Sequence, residues 1–364
     1  MATKSTKPSG KKKNKKKNNA KRIVLFVIEM LILVVLLVVL YTVLKADKVN
    51  KIAIDKENIV VNETVEDNVT LKSYRNIALF GVDARDKSLG KGNRTDTIMI
   101  ASVNQQTGDI KLLSVYRDTY LNLGNDTYNK CNAAYAKGGP EQAINMLNMN
   151  LDLNIEDYVT VGFTGLMETI DAIGGVEIEI LEEEIRHLNN YQISMVGSTT
   201  DGKTFTAEEG KDYVAITSPG LQTLNGLQAT AYCRVRQVGD DFMRAQRQRD
   251  VLTAIMEKAK QSSPATLNKI LDKVLPYVST SLDVDEIVSV LGEVSKYNIV
   301  AKDGFPFEEF RATGNLGKKG SCVIPVDLKA NVNKLHSFLF ESDEYIMSEQ
   351  VMEYSQKISA DTGK

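Results

Sequence analysis

A long apolar run near the N-terminus is the strongest constraint on how this chain folds. Residues 23–44 are apolar except for Glu29, Tyr41 and Thr42. As an α-helix the run is about 33 Å long, against about 30 Å of bilayer hydrocarbon. It is longer than the apolar core of a signal peptide, and no small-residue cleavage site follows it. The run therefore predicts one transmembrane helix, through which the protein contacts the membrane.

The charge on either side of this run predicts the topology. Ten of the first 22 residues are Lys or Arg and none is acidic, so residues 1–22 are expected to be a cytoplasmic tail. The rest of the chain then lies outside a single-pass cell-membrane anchor. Residues 23–364 hold 35 basic and 47 acidic residues. This balance argues against nucleic acid as a partner, because nucleic acids are bound through broad positive surfaces.

Beyond the anchor, strand and helix patterns alternate. Residues 45–73 have no sustained period and predict a stalk with at most one edge strand. Buried-strand patterns at residues 75–82, 97–103 and 110–116 are followed by interleaved helices and strands. This order predicts an α/β fold with a mixed central sheet and helices on both faces, a three-layer α/β/α domain over residues 74–345. We expect residues 346–364 to be a frayed tail.

Three cysteines, Cys131, Cys233 and Cys322, show no C-x-x-C spacing, so neither a zinc ribbon nor a redox pair is indicated. The odd number also argues against a disulfide scaffold. Buried, unreactive thiols are favoured over a bridge between Cys131 and Cys233.

One segment, residues 232–250, concentrates arginine. Of the twelve arginines in the chain it holds five, namely Arg234, Arg236, Arg244, Arg247 and Arg249. The planar guanidinium matches phosphate oxygens two bonds at a time, so the enrichment suggests a phosphate ligand. On an extended segment the first two would share a face, and Arg244, Arg247 and Gln248 would share a face near a helix N-terminus. A solvated basic face balanced by neighbouring aspartates is an equally good interpretation of the spacing alone.

A second polar set lies at the ends of the first three predicted strands, after the first and third strands and before the second. It comprises Asp83, Arg85, Arg94, Asp96, Arg117 and Asp118. Mg²⁺ is typically held by one or two carboxylates together with substrate phosphates, while arginines take the remaining phosphate charge. The pair Asp83 and Asp96 is therefore a candidate Mg²⁺ site. The alternative is a set of ordinary aspartate caps and salt bridges at strand ends.

Taken in order, these motifs resemble a known family. The blocks are Gly81-Val82-Asp83-Ala84-Arg85, Arg94-Thr95-Asp96-Thr97, Tyr116-Arg117-Asp118-Thr119, Lys130-Cys131-Asn132-Ala133, Gly174-Gly175-Val176, Cys233-Arg234-Val235-Arg236 and Asp241-Phe242-Met243-Arg244 with Arg247-Gln248. They are similar to the signature blocks of the LytR-CpsA-Psr family, over about residues 74–340. Tyr116 stands where the family usually has Pro, and Cys131 where Leu is common.

The resemblance implies a Mg²⁺-dependent phosphotransferase of the bacterial envelope, of the Gram-positive type. Such enzymes transfer a polyprenyl-pyrophosphate-linked glycopolymer, teichoic acid or capsule, to a peptidoglycan hydroxyl and release polyprenyl phosphate. The implied metal ligands are Asp83 and Asp96, and the implied general base is Asp96 or Asp118. The implied catalytic set is Asp96, Arg117, Asp118 and Arg236, and the implied pyrophosphate contacts are Arg94, Arg117, Arg234, Arg236, Arg244 and Gln248. The lipid would occupy an apolar tunnel between sheet and helices. Two other functions stay open: a non-enzymatic membrane-anchored binder or regulator, and a polyprenyl pyrophosphate hydrolase.

Overall fold

The computed structural model describes residues 52, 54–66, 68–84, 88–199, 205–342 and 345–364. The predicted cytoplasmic tail, the predicted transmembrane run and Arg85 lie outside these residues. Among the helices that are described, none combines the length and the apolar character needed to cross a bilayer.

Strands and helices alternate along the described chain. The strands are β1 Tyr74–Val82, β2 Thr95–Asn104, β3 Asp109–Val115, β4 Tyr120–Asn122, β5 Tyr128–Lys130, β6 Asp157–Gly162, β7 Val176–Ile180, β8 Ser198–Thr199, β9 Phe205–Thr206, β10 Gly220–Leu224, β11 Val278–Thr280, β12 Asn298–Phe305, β13 Arg311–Asn315 and β14 Ser321–Pro325. The α-helices are α1 Glu63–Glu66, α2 Val69–Lys72, α3 Asn132–Leu151, α4 Phe163–Ala172, α5 Glu182–Val196, α6 Gly226–Tyr232, α7 Asp241–Lys260, α8 Pro264–Val274, α9 Val284–Gly292, α10 Leu328–Phe340 and α11 Glu349–Thr362.

The central sheet has the strand order β11-β6-β1-β2-β3-β12. Strand β1 pairs antiparallel with β2 and parallel with β6, and β3 pairs parallel with β12. The register places Leu79 opposite Met99 and Val159 on the two neighbouring strands. The sheet is therefore mixed, as predicted, and its central strand β1 ends next to the start of β2.

Helices cover both faces of this sheet. On one face, α3 and α10 share an apolar core with Phe80, Ile100 and Leu113, and α11 packs on α3 and α10. On the other face, α7 packs Leu252 and Met256 against Leu79 and Leu112. Because side chains alternate between the two faces of a strand, neighbouring residues such as Leu79 and Phe80 reach different helical layers. The three-layer α/β/α prediction is confirmed.

The prediction of a stalk at residues 45–73 is wrong for the part of it that the structure describes. Helices α1 and α2 bury Val65 and Leu71 in the core, and the side chain of Asn62 donates a hydrogen bond to the backbone carbonyl of Met149 at 3.1 Å. These residues belong to one unit, Lys48–Lys364. Helices of only four residues leave no period to read in the sequence, which explains the error.

The prediction of a frayed C-terminal tail is also wrong. Helix α11 begins at the N-cap Ser348, whose hydroxyl accepts a hydrogen bond from Val351 N. The helix buries Val351, Tyr354 and Ile358 against the core. These apolar residues recur at intervals of three and four, which is the helical period. Their burial fixes the C-terminal helix to α3 and α10.

Candidate active site

A cavity of about 450 Å³ lies between the sheet and helices α4 to α7. Its floor is formed by residues of β1, β2 and β6 on one face of the sheet, and Gly81 there leaves space for Thr97. A Cβ on Gly81 would lie 2.9 Å from the Thr97 side chain. The deeper wall is apolar and includes Leu79, Met99 and Val159, while charged residues collect where β1 ends. The cavity is therefore amphipathic, with one charged and one apolar end.

Asp96, at the start of β2, is the centre of the charged end. Its Oδ1 lies 2.5 Å from Arg117 Nη1, and its Oδ2 lies 3.8 Å from Arg236 Nη2. Its backbone carbonyl accepts a hydrogen bond from Arg244 Nη2 at 2.9 Å. Burial opposes the charge of Arg117, but the carboxylates of Asp96 and Asp118 outweigh it and raise its pKa. Arg117, Arg236 and Arg244 thus meet at Asp96, the first two at its carboxylate and the third at its backbone carbonyl.

Arg244 carries the least compensated charge of this set. It lies in the first turn of α7, which is capped by the side chain of Asp240, and it is 4% exposed. Burial, and then the repulsion of Arg117 and Arg236, lower its pKa to about 10. Its Nε has no hydrogen-bond partner among the described residues. A buried donor without a partner costs free energy, so this position favours an anionic ligand.

Arg234 lines the cavity, but it lies on a different kind of segment from the one predicted. It was expected on an extended segment with Arg236, but both residues lie in the turn between α6 and α7. The guanidinium of Arg234 stacks over the Phe163 ring at 4.6 Å and lies 5.3 Å from the Tyr191 ring. Both arginines still line the cavity, as does Gln248. The predicted extended segment is wrong, but the side chains of Arg234 and Arg236 do meet at one cavity.

The candidate metal ligands Asp83 and Asp96 both line the cavity, directly after β1 and within β2. Val82 on β1 pairs with Thr95 on β2, and Asp83 and Asp96 are the residues that directly follow this pair. Across the described residues no cluster of three or more His, Cys, Asp or Glu could hold a metal ion. Two carboxylates without further protein ligands suit Mg²⁺, which usually keeps several waters and binds phosphate oxygens as well. The donor set therefore fits that ion.

Two other predicted site residues lie outside this cavity. Asp118 lines a small adjoining hollow of about 20 Å³, where it pairs with Lys130 at 3.2 Å and approaches Arg117 Nε at 3.7 Å. Arg94 is exposed just before β2 and is not part of the cavity wall. Of the two candidate bases, Asp96 is the one that faces the cavity.

Arg247 and Arg249, the other arginines of the enriched segment, do not face the cavity. Arg247 is 1% exposed and donates from Nε to Glu184 at 2.6 Å. Arg249 is also buried and donates to Gln246. The prediction that Arg247 shares the ligand-facing side of the helix with Arg244 is wrong, because its guanidinium is bonded to Glu184 and to two backbone carbonyls instead.

The aromatic residues that contact Arg234 were not predicted from the sequence. Phe163 begins α4, and Tyr191 belongs to α5, a helix that we did not predict. The buried Glu184 and Leu188 lie one turn apart on α5, a helical spacing that was present in the sequence. The cysteines follow expectation, because all three are free and buried. Burial raises the pKa of the Cys233 thiol to about 12, so it is unreactive at neutral pH.

Known proteins resemble this chain in sequence and in fold. TagT of Bacillus subtilis, named a polyisoprenyl-teichoic acid–peptidoglycan teichoic acid transferase, is 28% identical over 241 residues, which are 65% of this chain and 64% of TagT. TagU of Halalkalibacterium halodurans carries the same activity in its name and is 31% identical over 264 residues, 71% of this chain and 74% of TagU. The crystal structure of B. subtilis TagV aligns with a TM-score of 0.57 and 25% identity, covering 76% of this chain and 99% of that chain.

The match spans just under two thirds of the length of TagT. The profile of the LytR_cpsA_psr family matches residues 36–335, which include the whole of the cavity wall. The chain therefore belongs to the LytR-CpsA-Psr family.

Proposed function

We propose that this protein is an extracytoplasmic phosphotransferase of the cell envelope. It takes an anionic glycopolymer of the teichoic acid or capsule type that is linked to a polyprenyl lipid through pyrophosphate. It joins the glycopolymer to a hydroxyl of peptidoglycan and releases polyprenyl phosphate. The names of TagT and TagU, which describe a polyisoprenyl-linked donor and a peptidoglycan acceptor, support this substrate class.

The amphipathic cavity is the observation that carries the proposal. A prenyl pyrophosphate has a doubly charged head and a long apolar tail, and each part has a matching end of the cavity. Arg117, Arg234, Arg236 and Arg244 surround the space for the head, and Leu79, Met99, Val251, Leu252 and Ile255 line the space for the tail. A soluble phosphate ester would leave the apolar end unused. The apolar residues thus favour a lipid-linked donor.

The reaction follows from the placement of these charges. The acceptor oxygen attacks the phosphorus that carries the sugar, and the bond to the bridging oxygen breaks, so that polyprenyl phosphate leaves. Negative charge grows on the leaving phosphate, where Arg117, Arg236 and Arg244 are already held in place. Preorganised donors of this kind stabilise a transition state without reorganising during the step. Asp96, which faces the cavity, is our candidate to accept the proton of the hydroxyl.

We propose Mg²⁺ as the metal, held by Asp83 and Asp96 together with the pyrophosphate. The ion would neutralise part of the charge on the phosphates when bound. Asp83 is exposed at the cavity and follows β1 directly, so its carboxylate is accessible to an ion. We also propose that residues 23–44 anchor the protein in the membrane with the cavity outside, close to the lipid donor.

The full-length protein in detergent micelles tests the activity. It is mixed with a polyprenyl-pyrophosphate-linked teichoic acid and peptidoglycan, and both polyprenyl phosphate and glycan-bound polymer are measured. We expect release that depends on the acceptor, and a fall of roughly 10- to 100-fold in Arg236→Ala. Arg186→Ala, which alters an exposed arginine outside the cavity, is the matched control. Release without acceptor would indicate a hydrolase, and binding without release would indicate a binder.

The metal is tested in the same assay by chelation and by substitution. We expect EDTA to abolish release, Mg²⁺ to restore it, and Asp83→Asn to require a higher Mg²⁺ concentration. Asp126→Asn, at an exposed position in the turn between β4 and β5, controls for loss of negative charge. Full activity in EDTA, or an unchanged Mg²⁺ requirement in Asp83→Asn, would contradict the metal assignment.

A further inference from the structure

We infer that Glu184 and Arg247 are a positioning pair that fixes the turn presenting Arg234 and Arg236 to the cavity. The inference rests on the proposed function, in which those two arginines bind the pyrophosphate. Neither Glu184 nor Arg247 lines the cavity. Their role would be to hold the backbone of other residues rather than to contact the substrate.

The guanidinium of Arg247 ties three segments together. Its Nε donates to Glu184 Oε1 at 2.6 Å, on the first turn of α5. Its Nη1 donates to the carbonyl of Val235 at 3.2 Å, and its Nη2 to the carbonyl of Val238 at 2.7 Å. Both carbonyls belong to the turn between α6 and α7. Arg247 itself is on α7, so its side chain joins the turn to helices α5 and α7.

Glu184 is fixed in turn by its own helix. Its second oxygen accepts the backbone N–H of Leu181 at 3.0 Å and so caps α5. Glu184 is 2% exposed, and Arg247 is less exposed still. A buried pair with its hydrogen bonds satisfied has little freedom to move, and breaking one partner leaves an uncompensated charge. The pair is therefore a rigid support.

The turn is anchored at the residue between the two cavity arginines. Val235 has its side chain fully buried and its carbonyl bound by Arg247. Arg234 and Arg236 flank it and project to the cavity, where Arg236 must stay near Asp96 despite the like charges of Arg117 and Arg244. Repulsion between these cations would move an unsupported turn outward. The hydrogen bonds from Arg247 oppose that movement.

Hydrogen exchange of the full-length protein measures this fixation directly and needs no substrate. In Arg247→Lys the charge is kept, but the fork that reaches both carbonyls is lost. We expect amides 234–239 to exchange at least about tenfold faster, with the sheet strands unchanged. Arg249→Lys, a buried arginine on the same helix that does not bind the turn, should leave these amides unaffected. Unchanged exchange in the turn, or faster exchange throughout the protein, would overturn the inference.

A kinetic cycle tests whether the pair acts through the cavity arginines. Arg247→Lys alone should lower kcat/KM for polymer transfer about 10- to 100-fold, but by less than about threefold in an Arg234→Ala, Arg236→Ala background. Equal effects in both backgrounds would show that Arg247 acts elsewhere. If the unaltered protein transfers no polymer, the proposed function fails, while the exchange experiment still decides whether Arg247 fixes the turn.

Discussion

Replacing Arg244 by methionine should make the ligand-free protein more stable. At pH 7 this buried guanidinium is charged, although burial and the cations Arg117 and Arg236 lower its pKa from an ordinary 12.5 to about 10. That difference corresponds to a cost of about 3 kcal/mol for keeping the charge in the folded state. Because the folded state binds this proton less tightly than the unfolded state, the cost is fully present at pH 7. It would fall only above pH 10.

Part of this gain is lost with the contacts of the side chain. Arg244 donates to the carbonyl of Asp96 at 2.9 Å and pairs with Asp241 at 3.2 Å, and both contacts are missing in Arg244→Met. The attraction of Asp241 is already included in the lowered pKa, so the further loss is the hydrogen bond to the carbonyl of Asp96. A hydrogen bond from a charged group contributes about 1.5–3 kcal/mol. Methionine keeps most of the apolar stem packed. We therefore expect a net increase of about 1 kcal/mol in the free energy of unfolding.

Equilibrium urea unfolding of the full-length protein at pH 7, with and without inorganic pyrophosphate, tests this expectation. Pyrophosphate should stabilise the unaltered protein, since a ligand that binds only the folded state raises its free energy of unfolding. It should have much less effect on Arg244→Met. Arg249→Met is the matched control, because burial also lowers the pKa of Arg249 but that residue lies outside the cavity. A ligand-free Arg244→Met protein that is less stable than the unaltered one would falsify the reasoning.

Three further predictions concern the structure around the site. In Gly162→Ala the new Cβ would lie 2.7 Å from the carbonyl oxygen of Ala84, next to Asp83. We expect the free energy of unfolding, measured by thermal unfolding, to fall by about 1–3 kcal/mol, and Mg²⁺ to restore less activity. Burial lowers the pKa of His336 to about 4 from 6.5, so the free energy of unfolding should fall by up to about 3 kcal/mol as the pH drops from 6.5 to 4. The same urea series on His336→Gln should lack that part of the slope. Removing residues 349–364 should cost about 4–6 kcal/mol in urea unfolding, because α11 buries three large apolar side chains. An unchanged unfolding midpoint would show that α11 does not stabilise the core.

The sequence predicted the centre of the fold well because central strands have strong local signals. The runs that became β1, β2 and β3 are apolar and bounded by turn residues. Strand β12 was missed although it pairs with β3 along its whole length. Its first half alternates exposed and half-buried residues at the edge of the sheet, and only the short apolar run 299–301 marks it in the sequence. Long-range parallel pairing, rather than its own composition, makes it a strand.

In the site, too, local sequence signals could be used for prediction, whereas long-range contacts could not. Asp83 and Arg117 follow the ends of β1 and β3, and Asp96 lies at the start of β2. A sheet brings such strand ends together, so their convergence on one cavity could be predicted. The orientation of Arg247 could not, because its partner Glu184 lies on a helix that we did not predict. Helical spacing correctly grouped Arg244 with Gln248. It could not show that Arg247, beside them, turns inward.

Arg247 and Arg244 differ in whether the protein itself satisfies their N–H groups. Arg247 has partners on Nε, Nη1 and Nη2, whereas the Nε of Arg244 has none among the described residues. The states of Arg247 and Arg244 are linked, since part of the repulsion on Arg244 comes from Arg236, which the turn holds close. Releasing the turn with Arg247→Lys should therefore reduce the stability gained from Arg244→Met. Unfolding of the two single variants and the double variant measures this coupling, and additive free energies would show that the turn does not maintain the repulsion.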